Sequence, residues 1–217
     1  MSKLEVVCEE VRKSSACEGE GCDVCDKKIN RIHLWERIGS PAGYWIKPFK
    51  DYSGDKDYKQ IVMNYISSID LKYKEGESLL LAGNLGVGKT YGMTSILKMA
   101  SAKGYSARYY NMAEIINLIL SGQEKDLVSK LLELDFLGID EFDGRWVFDS
   151  EKVQQIVGTT MEMILRGRFQ NELPTILATN ATEPDKILSG LYGRSFSSLK
   201  SQYLKEVFIE GKDFRKK

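Results

Sequence analysis

The stretch Leu79-Leu80-Leu81-Ala82-Gly83-Asn84-Leu85-Gly86-Val87-Gly88-Lys89-Thr90 constrains this chain more than any other. An apolar run the length of a buried strand stops at a glycine-rich turn, and the turn ends in Gly-Lys-Thr. The spacing is G-x-x-x-x-G-K-[ST], the phosphate-binding P-loop pattern. Gly83, Gly86 and Gly88 let the backbone take positive φ and bring N–H groups onto phosphate oxygens without a Cβ in the way. A helix starting at Lys89 points its positive end at the same phosphates. Lys89 neutralises the β and γ phosphates, and the Thr90 hydroxyl ligates Mg²⁺. The competing explanation is a chance match in an ordinary glycine turn, which arises in roughly one chain in a hundred of this size. A strand before the motif and a helix after it argue against chance. ATP and Mg²⁺ are the expected ligands, cradled by Gly83, Asn84, Leu85, Gly86, Val87, Gly88, Lys89 and Thr90.

With 217 residues, 42% of them hydrophobic, the chain can build one α/β core plus a small appendage. Lys and Arg total 31, as do Asp and Glu, so global charge does not announce a nucleic-acid partner and any basic patch is local. No apolar run reaches the roughly 18 residues of a membrane span. Residues 1–10 are polar and acidic, without the apolar core of a signal peptide. The expectation is a cytoplasmic protein with no membrane partner.

All 4 cysteines lie in the first 25 residues. Cys8, Cys17, Cys22 and Cys25 occupy a segment too polar to fold on burial alone. Cys22-x2-Cys25 has the spacing of a zinc knuckle, and Cys17 with Cys8 would complete a four-thiolate Zn²⁺ site. Unliganded thiols are the alternative, and disulfides fit a reducing compartment least. His33 is the other possible fourth ligand, or a packed histidine beside Leu34 and Trp35. The domain reading is a Cys-rich module over 1–33, a linker over 34–56 broken by Gly39-Ser40-Pro41-Ala42-Gly43, and an ATPase domain over 57–217.

Periodicity predicts a helix over 57–69, helices over 90–102, 113–120, 125–134 and 151–166, and strands over 106–110, 174–180 and 206–211. The second strong motif is Leu134-Asp135-Phe136-Leu137-Gly138-Ile139-Asp140-Glu141. An apolar strand ending in two acids downstream of a P-loop is the Walker B arrangement. Asp140 would belong to the Mg²⁺ shell and Glu141 would polarise the attacking water. Asp143 reads as a solvated loop acid. Asn180, at the end of Thr175-Ile176-Leu177-Ala178-Thr179, either positions that water, a sensor 1 role, or caps the next helix.

In this order the motifs resemble the AAA+ branch of P-loop ATPases. Within it they resemble the replicative helicase loaders of the DnaC/DnaI type and their relative, the IstB transposition ATPase. The resemblance covers roughly residues 30–217. It rests on Ile38-Gly39-Ser40-Pro41, Ala113-Glu114-Ile115-Ile116, the Walker B stretch, and Leu191-Tyr192-Gly193-Arg194 through Phe208-Ile209-Glu210-Gly211-Lys212-Asp213-Phe214-Arg215. It implies an αβα sandwich with a five-stranded parallel sheet, no separate helical lid, and subunits that form a homo-oligomer. It further implies a short N-terminal module that grips the replicative helicase, and single-stranded DNA as a partner. ATP hydrolysis is the implied activity, with Lys89, Glu141, Asn180 and Arg194 as catalytic residues. The chain departs from the family at Ser198, where the resemblance calls for a second arginine that completes a neighbour's site. Arg194 and Lys200 are the nearby cations.

Overall fold

The computed structural model describes residues 2–13, 22–143, 150–181, 184 and 195–214. Its core is a sheet of β1 (Ser78–Gly83), β2 (Ala107–Asn111), β3 (Phe136–Asp140), β4 (Thr175–Thr179) and β5 (Leu204–Ile209). The strand order is β2-β3-β4-β1-β5, and every pairing is parallel. Parallel strands need crossovers, which cover both faces of the sheet and make its strands read as continuous apolar runs. Side chains of one strand nevertheless alternate. Leu80 faces one core with Leu137, Ile139 and Leu177. Leu79 and Leu81 face the other with Phe136, Ile176 and Ala178.

The first core is closed by α6 (Met112–Leu120), α7 (Glu124–Glu133) and α8 (Glu151–Gln170), through Ile115, Leu131 and Met161. The second is closed by α3 (Lys56–Ser67) and α5 (Lys89–Ala102), through Val62, Met93 and Leu97. A short α4 (Ile69–Lys74) leads into β1, and α9 (Ser195–Tyr203) leads into β5. The last strand starts two residues earlier than periodicity predicts, because its register is set by β1: Ser78 pairs with Leu204 and Gly83 with Ile209. No helix among the described residues is long and apolar enough to cross a membrane.

At the N-terminal side, α1 (Lys3–Arg12) and α2 (Asp23–Arg37) form a helical pair. Ser2 and Glu5 cap α1 reciprocally. Val7, Ile32 and Trp45 make a small buried cluster with Leu4, Cys8, Val11 and Trp35 against it, so the pair has an apolar core that the segment's polarity concealed. The helix α2 continues past position 33, where a module boundary is expected. Trp45 joins this cluster while Ile38, Phe49 and Tyr52 join the main core, so residues 34–56 are packed along their length. Lys98 on α5 fastens them. Its Nζ donates to the carbonyls of Tyr44 (2.7 Å) and Lys47 (3.1 Å) and lies 4.9 Å from the Trp35 ring centre. Burial among these neutral groups lowers its pKa to about 8.

Candidate nucleotide site

In a parallel sheet all carboxyl ends lie along one edge, and ligands bind there. The register puts Gly83, Asn111, Asp140 and Thr179 at that edge of β1, β2, β3 and β4. The glycine-rich turn leaves β1 and enters α5 directly, with Gly88 left-handed at the helix N-cap (φ +102°). A Cβ on Gly88 would lie 2.6 Å from the Tyr52 ring, so both the backbone angle and the close approach require glycine. Two tyrosines hold the turn through its carbonyls. Tyr52 donates its hydroxyl to the Val87 carbonyl (2.6 Å), and Tyr58 donates to that of Gly88 (3.1 Å).

Lys89 is buried, and its Nζ donates to the carbonyls of Gly83 (2.8 Å) and Asn84 (2.7 Å), curling over the loop it belongs to. The Thr90 hydroxyl donates to Asp140 Oδ2 at 2.6 Å, so the two oxygens expected around Mg²⁺ already meet. This hard oxygen pair fits that cation. Tyr109 on β2 donates to the same Oδ2 at 3.1 Å. Burial and the Asp140 charge push the Tyr109 pKa upward, so the hydroxyl stays a proton donor.

After Asp140 the chain turns sharply. Glu141 is left-handed at φ 56°, a conformation that costs a non-glycine residue roughly 1–2 kcal/mol. Its N–H donates to Asp140 Oδ1 (2.8 Å), and its carbonyl accepts from Asp143 N (2.8 Å). Asn111 donates its amide to Glu141 Oε2 at 2.9 Å. The turn also draws Asp143 inward. It is buried, not solvated, and accepts from the Asn180 amide at 2.7 Å.

A cavity of about 450 Å³ opens over this edge, within the range of small-molecule sites. Lys89, Thr90, Asp140, Glu141 and Asn180 line it with Leu85, Gly86 and Gly88. Val87 is buried beneath the turn, and Gly83 and Asn84 serve through the carbonyls that hold Lys89. Arg194 lies outside the described residues. Ser198 is exposed on α9. Lys200 is almost fully buried and pairs with Glu206 at 2.6 Å, which engages it within its own chain.

Sequence reasoning missed Tyr52, Tyr58, Tyr109, Asn111 and the inward turn of Asp143. The available signal was Asn111, a polar residue closing the second predicted strand where parallel pairing sets it beside Asp140.

The cysteines give a different outcome. Among the described residues no three His, Cys, Asp or Glu side chains gather as metal ligands. Cys25 is buried with its Sγ 3.9 Å from the Val11 carbonyl, Cys8 and Cys22 are half-buried, and His33 is exposed on α2, not packed. Cys17 lies outside the described residues. Cys8, Cys22 and Cys25 do not by themselves fit Zn²⁺.

The sheet order and this edge define an AAA+ P-loop nucleotide-binding fold. No protein-family model matches the chain. The replicative helicase loader DnaI of Bacillus subtilis (strain 168) is 28% identical over 137 residues, which is 59% of this chain. The chain spans only 40% of that relative's length. The DnaC helicase loader superposes with a TM-score of 0.63 at 18% identity, covering 77% of this chain and 98% of the other. The replication initiator DnaA, bound to AMPPCP and single-stranded DNA, superposes at 0.60 with 19% identity, over 80% of this chain and 51% of that one. At these identities the superpositions speak for the fold. The DnaI match is a similarity in sequence over part of the chain, and the superpositions show that the chain shares the fold of the DnaC helicase loader.

Proposed function

We propose that this chain is an ATP-dependent loader of the replicative DNA helicase onto single-stranded DNA, working in the cytoplasm as a nucleotide switch. The observation that carries the proposal is the Thr90–Asp140 contact at 2.6 Å, with Glu141 beside it, at the edge of a helicase-loader fold. Lys89 leaves the Gly83 and Asn84 carbonyls for the β and γ phosphates of ATP. Thr90 and Asp140 would hold Mg²⁺, which would supply charge neutralisation. Glu141 accepts a proton from the attacking water, and Asn180, fixed by Asp143, orients it. The chain acts as a homo-oligomer in which nucleotide state sets contacts with helicase and DNA.

The proposal is tested by capturing the replicative helicase on the purified chain with ATP and Mg²⁺, and scoring transfer of helicase to single-stranded DNA. Capture and transfer are expected with wild type. Failure to bind the helicase in any nucleotide state, with a transposase bound instead, would replace the proposal by the IstB-like one.

Two observations favour slow turnover, which a switch or a protein-binding adaptor needs. Ser198 carries no charge, and Lys200 is held by Glu206. Asn111 holds one of the two Glu141 carboxylate oxygens, Oε2. Asn111 also caps α6 through its Oδ1, which accepts from Ala113 N at 2.9 Å. Asn111→Ser is the suitable variant, because serine keeps a capping oxygen and loses the amide donor. Releasing Glu141 is expected to raise basal phosphate release about 2- to 10-fold, the worth of one ordinary hydrogen bond. A fall in rate at unchanged ATP affinity would make Asn111 a positioning partner of Glu141.

A Zn²⁺ site is part of the proposal only through Cys17 joining Cys22, Cys25 and Cys8. One Zn²⁺ per chain, lost in Cys22→Ser, is then expected by metal analysis. A metal-free preparation that still captures the helicase would remove it.

A further inference from the structure

The cavity has two chemically different parts. Lys89, Thr90, Asp140, Glu141 and Asn180 line the polar part, while Tyr44, Tyr91, Tyr52 and Phe214, joined by successive ring contacts, line another part together with Lys47, Asp51 and Ser53. Tyr44 and Tyr91 stack with ring centres 5.5 Å apart and planes 25° apart, both half-buried. Phe214 arrives from a strap, residues 211–214, that follows β5 and crosses back over the glycine-rich turn.

The strap is fastened along its length. Just before it, Glu210 N donates to Asp55 Oδ2 (3.1 Å), and Phe214 N donates to the Gly86 carbonyl (3.3 Å). Asp213 lies so close to Gly86 (φ +78°) that a Cβ there would fall 1.7 Å from its Oδ1. A side chain at position 86 would therefore displace the Asp213 carboxylate as well as strain the turn. The Phe214 ring meets Tyr52 edge-on, 6.0 Å between centres at 66°, yet stays 49% exposed beside the cavity. An aromatic ring fixed by its backbone and left half bare at the mouth of a phosphate site is placed to stack on a flat ligand.

We propose that the strap is part of the nucleotide site, and that Phe214, linked through the Tyr52 ring to the Tyr44–Tyr91 pair, forms the subsite for the base of a nucleoside triphosphate. The inference rests on the nucleotide reading above and extends it to residues beyond the P-loop and Walker B strand. Phosphates seated on the turn after β1, with their terminal group toward Asp140 and Asn180, leave the nucleoside to the aromatic part. Stacking selects for a π face, and a purine offers more of it than a pyrimidine.

Calorimetric titration of the full chain in Mg²⁺ with ATP, UTP and inorganic tripolyphosphate tests this. Wild type is expected to bind ATP most tightly, UTP less so and tripolyphosphate least. Phe214→Ala removes a half-exposed side chain outside the two cores. It is expected to weaken ATP about 5- to 100-fold, the range for loss of one base–aromatic stack, and to leave tripolyphosphate where it was. Phe214→Trp is expected to restore ATP binding. ATP affinity unchanged in Phe214→Ala would overturn the subsite. So would a wild type that binds tripolyphosphate as tightly as ATP, with the phosphate site left standing. A wild type that binds neither would overturn the nucleotide reading and the subsite with it.

Discussion

Glu141→Gln is expected to slow ATP hydrolysis by about 10²- to 10⁴-fold, the usual worth of a general base, while Mg²⁺-ATP stays bound. Glutamine keeps the size of the side chain and its oxygen for the Asn111 amide, now 2.9 Å away, but it cannot take a proton from water. The left-handed turn at φ 56° is a backbone property shared by both residues, so the fold is not asked to change. The companion change, Lys89→Ala, strikes binding instead. It removes the cation now resting on the Gly83 and Asn84 carbonyls and should weaken Mg²⁺-ATP about 10- to 150-fold, as for loss of charged hydrogen bonds. Equilibrium titration and phosphate release, measured on both variants, separate the two roles. Turnover in Glu141→Gln equal to wild type would take that residue out of the chemistry, and undiminished affinity in Lys89→Ala would do the same for the P-loop assignment.

The second large effect concerns stability, far from the cavity. Arg168 on α8 is fully buried. Its guanidinium donates to the Thr175 hydroxyl (2.8 Å) and to the carbonyls of Leu131, Leu134 (2.8 Å) and Pro174 (2.9 Å). Leu131 and Leu134 belong to the end of α7, whose last carbonyls have no partner within their own helix. One planar fork thus ties the end of α7, the approach to β3 and the start of β4 to α8, which only arginine's donor geometry allows. Burial lowers its pKa to about 10, with the Asp135 charge opposing the fall, so it remains a cation at neutral pH. Arg168→Met fills much of the space and abandons the carbonyls. The expected loss is about 3–5 kcal/mol, read as an earlier urea midpoint at unchanged slope. A loss below about 1 kcal/mol, the size of a surface change, would mean that water reaches those carbonyls.

Much of this was legible in the sequence for a simple physical reason. Buried parallel strands must be apolar on both faces, and a phosphate turn must be glycine-rich, so β1, β3 and β4 and the loop after β1 announce themselves by residue type alone. The same reasoning marks Lys89, Thr90, Asp140 and Glu141 as candidates, because their proposed roles depend on neighbours a few residues away or on the end of the next apolar strand.

Whatever depended on contacts across the chain was not legible. The predicted helix over 151–166 stops short of Arg168, because a buried arginine breaks the apolar periodicity that marks a helix face, although the helix runs to Gln170. Asp143 reads as solvated until the turn at Glu141 folds it against Asn180. Asn111 gains meaning only when parallel register sets it beside Asp140, and Phe214 only when the strap after β5 returns to Gly86. The sequence by itself determined the fold class and marked the candidate phosphate-binding residues, since both follow from local residue type. The tertiary structure alone decided what restrains Glu141 and what lines the aromatic part of the cavity, because each brings together residues far apart in sequence.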